Sequence, residues 1–282
     1  MIKIQIQSIS GSLLFEHESE NNTTKETVEK AIADRADLRY ANLQHADLRS
    51  ANLQNADLRY ADLQNADLQN ADLRYADLLY ANLRYANLQN VDLQHADLRS
   101  ADLQSANLQN ADLRYANLQS ADLRSANLQY ANLQHANLWH ANLQHANLQH
   151  ADLRYANLQH ADLLYADLRS AENWQHTEWA NQAKQNILFI LSYLKSEVPW
   201  LRQALIDGKI NGTKYEWECC CLIGTIGKKE GVDEVCNTIP FYKKWLHNLA
   251  EQFFYQIKEG DTPKNSEFSR VAVELCDMVL NS

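Results

Sequence analysis

The chain repeats one five-residue unit, which begins as ADLRY-ANLQH-ADLRS-ANLQN over residues 36–55. The unit occurs 27 times in succession, from Ala36 to Ser170, with no insertion or deletion. Its third place is always Leu, its second place is Asp or Asn, and its first place is Ala in every unit but the one that begins with Val91. The fold therefore has to give the first and third residues of each unit the same surroundings 27 times over.

This spacing excludes a regular helix and a straight strand. In a helix, five residues advance by about 140° at 100° per residue, so the leucines would spiral around the axis instead of forming a stripe. In a strand, an odd repeat would turn alternate units outward. Both constraints are met if the chain turns a corner once per unit and winds into a solenoid. Because residues 36–170 contain no Gly or Pro, we expect the Asp or Asn at the second place to supply the turn hydrogen bonds.

The units resemble the pentapeptide repeat family, whose consensus is A-(D/N)-L-x-x. This resemblance implies a mainly β fold, a right-handed quadrilateral β-helix in which four units complete a coil of twenty residues. Columns of outward residues would then recur every twenty positions. Every third-place Leu is expected inside, and the bulkier Val91 is expected to widen its coil slightly.

Composition divides the chain into three parts. Residues 1–35 predict an N-terminal β-hairpin, from the alternation around Ile4, followed by a capping helix that begins with a capping box at Thr23. Residues 36–170 are the predicted β-helix. Residues 171–282 carry five of the six Trp and all the Cys, and predict a mostly α-helical C-terminal domain.

Apolar spacing, proline and glycine locate the expected elements of the C-terminal domain. They are helices over 179–194, 199–206, 240–260 and 265–280, and an extended segment over 217–226. The stretches 221–226 and 258–263 resemble tails seen on some bacterial pentapeptide repeat proteins, which suggests a bacterial chain.

The outward fourth and fifth places are the ones free to carry function. Aromatic and Arg side chains are favoured at protein interfaces. The sequence therefore predicts a candidate interaction face for a protein partner, made of Arg74, Tyr75, Arg114, Tyr115, Arg154, Tyr155 and Trp139. The alternative is that stacked side chains only support their neighbours along the solenoid.

Acidic charge suggests a second function. The fluoroquinolone-resistance members of the family are thought to imitate duplex DNA and bind DNA gyrase, and this chain has a net charge of −10. The least compensated Asp residues that share one expected face are Asp62, Asp102 and Asp162, because none has Arg two places on. Elsewhere Asp and Arg are interleaved, so DNA mimicry ranks below a non-enzymatic interaction scaffold.

Catalysis, metal binding and cofactor binding have no support in the motifs. The chain has no phosphate-binding loop, dinucleotide fingerprint, nucleophile elbow or zinc-protease motif. Consecutive histidines fall on different faces, and Cys219–Cys221 lacks the spacing of zinc ligands. We expect no enzyme, cofactor or metal, although a ligand-binding or catalytic C-terminal domain, with His247 beside a cysteine, stays open as a third function.

Charge and cysteine content bear on partners and location. The net negative charge argues against direct binding of nucleic acid, and no apolar run is long enough to span a membrane. Five cysteines without paired spacing favour a reducing cytoplasm. The expected partner is an unidentified protein, with a possible homodimer through residues 171–282.

Overall fold

A computed structural model of the chain describes residues 1–193, 195, 198–210, 252–258 and 260–282. Residues Met1–Thr177 form one compact unit and Glu178–Ser282 form a second. The repeats and the elements before them belong to the first unit. Ala171 and Glu172 belong to it as well, since Glu172 pairs with Asp152 of the preceding coil.

The repeats wind into coils of twenty residues. Each second-place residue forms a parallel bridge with the residue twenty positions on, from Asn42 and Asp62 to Asp152 and Glu172. Backbone hydrogen bonds of 2.7–3.1 Å join each coil to the next. Because the paired segment in each unit is so short, these contacts are isolated bridges instead of extended strands. Four units per coil are thus observed, and a β-helix is the fold of the family that the units resemble.

The inside of the coils is a column of Leu and Ala. Every third-place Leu is at most 3% exposed, and the first-place residues from Ala41 to Ala166 are at most 8% exposed. Val91 is buried as well, and its carbonyl accepts the Asp112 amide at 2.9 Å, as at other coils. The widening expected at Val91 is therefore not seen in the hydrogen bonds around it.

Each corner lies between the third place of one unit and the first place of the next. The first-place amide donates to the preceding Leu carbonyl at 2.9–3.2 Å, and the fifth-place residue between them has a positive φ of 54–61°. The second-place side chain accepts the fourth-place amide, for example Asp47 Oδ1 from Arg49 N at 3.3 Å. The expected turn bond from Asp or Asn is confirmed, whereas the left-handed fifth place was not anticipated.

The N-terminal elements match their predictions. Strands β1 (Ile2–Gln7) and β2 (Leu13–Ser19) form an antiparallel hairpin, and helix α1 spans Thr24–Ala33. The Thr23 side chain caps α1 by accepting the Glu26 amide at 3.1 Å. The hairpin joins the first coil, because the Gln7 carbonyl accepts the Asn42 amide at 2.7 Å.

The second unit is helical where it is described. After a 3-10 turn at Trp174–His176, helices α2 (Glu178–Tyr193), α3 (Val198–Ile206) and α4 (Glu267–Leu280) follow, close to three of the predicted helices. The Arg202 guanidinium bonds Asp277 at 2.5 Å and joins α3 to α4. The predicted extended segment over 217–226 and most of the helix predicted from Pro240 lie outside the described residues. Among the described residues, no helix has the length and apolar character needed to cross a membrane.

Candidate functional site

The outward side chains form four faces, because positions twenty residues apart lie over one another. Each face is defined by the first residues of its units. They are the Tyr–His face (units beginning at 51, 71, 91, 111, 131 and 151), the Tyr40 face (36, 56, 76, 96, 116, 136 and 156), the Asp62 face (41, 61, 81, 101, 121, 141 and 161) and the Asn face (46, 66, 86, 106, 126, 146 and 166).

The Tyr–His face carries a continuous stack of rings. Its fifth places have ring centroids 4.8–4.9 Å apart, and the order is Tyr75, His95, Tyr115, His135 and Tyr155. The three tyrosines are 51–67% exposed although they stack on their neighbours. The stack therefore presents aromatic surface whose side chains are already held by ring contacts.

Arginine side chains beside this stack are held by aspartates of their own units. Arg74 donates from Nε and Nη2 to the two carboxylate oxygens of Asp72 at 2.9 and 2.6 Å, and Arg114 makes the same bonds to Asp112. The hydrogen bonds from Arg74 lower the pKa of the Asp72 carboxyl below its usual value, against the opposing effect of burial. Bidentate pairs of this kind fix the guanidinium plane.

Six of the seven residues predicted for the interaction face lie together along the Tyr–His face, at intervals of forty residues. Trp139 does not, which corrects the predicted grouping. Its unit begins at residue 136 and follows one corner after the Tyr–His unit that begins at 131, so Trp139 lies on the Tyr40 face. There its ring contacts His140 edge-on at 4.2 Å, and His140 stacks on His160 at 4.8 Å.

The candidate acidic residues Asp62, Asp102 and Asp162 do share one face, since Asp62 and Asp102 both bridge Asn82 in the same column. Their charges are less open than the sequence suggests. Arg84 Nε lies 3.8 Å from Asp102, and Gln144 Nε2 donates to Asp162 at 2.6 Å. Asp102 therefore has an arginine partner that its own unit does not supply.

Ion pairs between coils explain this compensation. The second-place Asp of the next coil lies eighteen residues after a fourth-place Arg. Nitrogen–oxygen distances of 3.5–3.8 Å result for the pairs Arg49–Asp67, Arg59–Asp77, Arg74–Asp92 and Arg84–Asp102. Sequence reasoning missed these pairs because it considered only Arg two places after Asp, although the expected twenty-residue coil contains the signal.

The Asn face bears amide ladders in place of charges along most of its length. Asn90 donates to Asn70 at 3.0 Å, and Asn110 donates to Asn90 at 3.1 Å. Gln69 and Gln89 form a similar ladder on the same face. These ladders match the alternative interpretation, in which outward side chains support their neighbours along the solenoid.

The catalytic alternative has little to build on in the described residues. Cys219–Cys221 and His247 lie outside them. Cys276 is buried in α4, and burial raises the pKa of its thiol to about 12, so at neutral pH it is a thiol and not the reactive thiolate. In the described part of the chain, His, Cys, Asp and Glu side chains form no group of three or more that could hold a metal ion.

Comparison with known proteins agrees with the repeat. A family model described as pentapeptide repeats matches eight copies, over residues 34–70, 51–90, 66–104, 101–139 and 140–172. No curated protein matches the chain.

Three solved structures illustrate the likeness. The chain is 37% identical to HetL, a protein involved in heterocyst differentiation regulation from Nostoc sp. strain PCC 7120, over 48% of this chain and 75% of HetL, with a TM-score of 0.17. It is 22% identical to a pentapeptide repeat protein from the Arabidopsis thaliana thylakoid lumen, over 48% and 77% of the chains, with a TM-score of 0.27. It is 18% identical to QnrB1, a plasmid-mediated fluoroquinolone resistance protein, over 48% and 74%, with a TM-score of 0.28.

Proposed function

Because this chain belongs to the pentapeptide repeat family, we propose that it is a non-enzymatic scaffold that presents its coils to a protein partner through the Tyr–His face. Proteins of this family are generally structural or interaction proteins. We also propose that the coils wind in the right-handed sense that the family implies, and that the chain functions in the cytoplasm.

The observation that carries this proposal is that the outward side chains are held in place before any partner arrives. The rings of Tyr75 and Tyr115 stack on His95, and Arg114 is bound bidentately to Asp112. Ordering long side chains at an interface costs free energy, and a surface ordered in advance avoids much of that cost. Exposed tyrosine and arginine are also the residue types that contribute most to protein interfaces.

A quantitative capture experiment tests this function. The full chain and the variant Arg114→Gln/Tyr115→Ser are immobilised, and the proteins that each retains from a cell extract are compared. The matched control is Arg124→Gln/Ser125→Asn, which changes an equivalent Asp–Arg unit on the opposite Asp62 face. We expect a specific set of proteins to be lost with the first variant and kept with the control. Equal retention by all three chains would contradict docking at the Tyr–His face.

The helical unit is proposed to add specificity or to mediate dimerisation. In its described part, Trp179 Nε1 donates a buried hydrogen bond to Gln252 at 3.0 Å, a contact that stabilises the fold of this unit. A ligand bound between its helices would favour the third function, a ligand-binding or catalytic C-terminal domain.

DNA mimicry ranks second. An imitation of duplex DNA needs carboxylates that a cationic groove can reach, and the Asp62 face supplies four Asp against two Arg. Ion pairs further reduce the number of carboxylates that a cationic groove could reach, because Asp102 is paired with Arg84 and Asp122 with Arg124. Asp62 and Asp162 are the carboxylates of this face that have no arginine at either of the two spacings.

A further inference from the structure

The fourth places of the Tyr–His face alternate strictly between glutamine and arginine. The order along six coils is Gln54, Arg74, Gln94, Arg114, Gln134, Arg154. An alternating column with an even number of members has a simple symmetry property. If a second copy of the column is laid against it in the reverse direction, every arginine lies opposite a glutamine.

We propose that the Tyr–His face binds a second copy of this chain in an antiparallel arrangement. This inference rests on the proposed function and names the partner of the same face. A two-fold axis in the plane of contact, running along the coil segments and midway between the units that begin at 91 and 111, relates the copies. Because such an interface uses the same patch on both copies, the patch must be complementary to itself. The axis places Gln94 opposite Arg114, Arg74 opposite Gln134, and Gln54 opposite Arg154 of the second copy.

Hydrogen-bonding capacity supports this register. On this face each glutamine amide donates from Nε2 to an aspartate of its own chain, as Gln94 does to Asp92 at 3.2 Å and Gln134 to Asp152 at 2.6 Å. The Oε1 oxygen of each of these glutamines can then accept a hydrogen bond. Arg74 and Arg114 use Nε and Nη2 for their own aspartates, and within the described residues Nη1 has no hydrogen-bond acceptor. Arginine Nη1 can therefore donate to glutamine Oε1 across the interface.

The rings follow the same register. Tyr75 comes opposite His135, and His95 comes opposite Tyr115 of the second copy. A phenol hydroxyl and an imidazole nitrogen are suitable hydrogen-bond partners. Both copies also repeat at the same coil spacing of about 4.8 Å, so the match at one coil persists at the others.

The aspartates are the least favourable part of this interface, and their own arginines compensate for it. The register places Asp92 opposite Asp112 of the second copy. Arg114 binds Asp112 at 2.6 Å, and Arg74 lies 3.6 Å from Asp92. With one face in contact, the interface is smaller than that of permanent dimers. We therefore expect reversible association that depends on protein concentration.

Sedimentation velocity of the full chain, from roughly 1 µM to 1 mM, tests the proposal. We expect the wild-type chain to dimerise as its concentration rises. We expect Gln94→Arg to weaken the dimer about tenfold or more, because an arginine then faces an arginine of the other copy at two places in the interface. The matched control is Gln104→Arg, which adds the same charge to the same coil on the opposite face. Circular dichroism verifies that every variant is folded.

An exchange variant tests the register itself. In Gln94→Arg/Arg114→Gln the two residues trade places, so an arginine again faces a glutamine in the antiparallel arrangement, and dimerisation should recover relative to Gln94→Arg. A monomeric wild-type chain at every concentration would overturn the proposal. So would equal effects of Gln94→Arg and Gln104→Arg, or no recovery in the exchange variant. If self-association fails while Arg114→Gln/Tyr115→Ser still loses captured proteins, the scaffold function stands and only the identity of the partner is wrong.

Discussion

The fifth residue of every unit has a left-handed backbone although none of these residues is glycine, and Tyr, His, Ser and Asn all occur there. For residues other than glycine this conformation costs about 1–2 kcal/mol. It persists because the corner bond that spans it and the coil-to-coil bond from its own amide both require it, as at Tyr80, whose amide donates to Arg99 O at 3.1 Å. Residue preference alone would not have predicted it for Tyr or Ser.

A β-branched residue at a fifth place should expose this strain. Ser125 is exposed and has φ 58°. We expect Ser125→Val to lower the free energy of unfolding by about 1–2 kcal/mol, and Ser125→Asn to change it by less than about 0.5 kcal/mol, because Asn tolerates the left-handed region. Denaturant unfolding measures both. The control is Gln119→Val at a fourth place, where φ is not positive. A Gln119→Val loss as large as that of Ser125→Val would contradict the strain argument.

Leucines at the third and fourth places should differ sharply in their contribution to stability. Leu98 is fully buried, whereas Leu79 at a fourth place is only half-buried. We expect Leu98→Ala to cost about 2–5 kcal/mol through lost burial and a cavity, and Leu79→Ala to cost less than about 1 kcal/mol. Denaturant unfolding gives both values. Similar losses at the two positions would show that the fourth place also contributes to the core.

Acid should weaken the first coils through their Asp–Arg pairs. Hydrogen bonds from Arg39 and Arg49 lower the pKa values of Asp37 and Asp47 to about 2, from an ordinary value of 3.8. A lowered pKa in the folded state means stability that is present above pH 3.8 and is lost as pH falls toward 2. We expect the free energy of unfolding to fall over this range, and to fall less steeply in Asp37→Asn/Asp47→Asn. Identical acid profiles for the two proteins would contradict a role for these carboxylates.

At the scale of elements, two hydrogen bonds of α1 show what the sequence could and could not predict. The capping box at Thr23 was predictable, because its hydrogen bond joins residues three apart. The sequence also predicts that this helix caps the first coil, but it does not predict which residues make the contact, because they lie far apart in sequence. There the Glu29 carboxylate accepts the Asn52 amide at 2.8 Å. Inside the stack such an amide donates to the preceding coil, so Glu29 supplies the acceptor that a preceding coil would otherwise provide.

Removing this acceptor should open the first coil locally. We expect Glu29→Ala to speed hydrogen exchange at the Asn52 amide about tenfold or more, since a hydrogen bond to a charged acceptor contributes roughly 1.5–3 kcal/mol. Glu29→Gln keeps a side-chain oxygen and should have a smaller effect. The Asn132 amide, which donates to Ala111 O at 2.9 Å in mid-stack, serves as the internal reference. Unchanged exchange at Asn52 in Glu29→Ala would show that the helix backbone alone caps the coil.

The candidate site was predictable to the extent that it depends on the coil length. Six of its residues form two columns with separations of forty residues, two coils, and share a face, as the family resemblance implied. Trp139 was grouped by residue type instead of position, and for that reason its placement was wrong. Predicting the ion pairs between coils requires both the coil length and the reach of the side chains. A pattern within one unit contains neither.

At the scale of the whole molecule, the net charge of −10 is spread along the sequence, and half of it falls in the repeats. The repeats contribute fifteen Asp and ten Arg, and most of the arginines are paired with Asp of their own unit. A DNA-binding protein that seeks phosphates would meet alternating signs. This distribution favours interaction with a protein over imitation of a nucleic acid.

A supercoiling assay with purified gyrase distinguishes these functions. We expect no inhibition at roughly micromolar concentrations of the full chain, because carboxylates are sparse on the Asp62 face. The variant Asp62→Asn/Asp102→Asn/Asp162→Asn is the matched comparison. Inhibition by the wild-type chain that this variant loses would place DNA mimicry above the scaffold function.

The hydrogen bonds between coils have one further consequence, which concerns direction. In each unit inside the stack two amides donate to the following coil, as Tyr80 and Leu83 do to Arg99 and Asp102, while one donates backward, as Asp97 does to Ala76. Because two of these bonds point forward for each one that points backward, the peptide dipoles do not cancel along the axis, whereas in ordinary sheets they nearly do. Aligned peptide dipoles sum to a macroscopic dipole. The coil stack should therefore carry a lengthwise polarity with its positive end at the last coil, and should orient in an applied electric field.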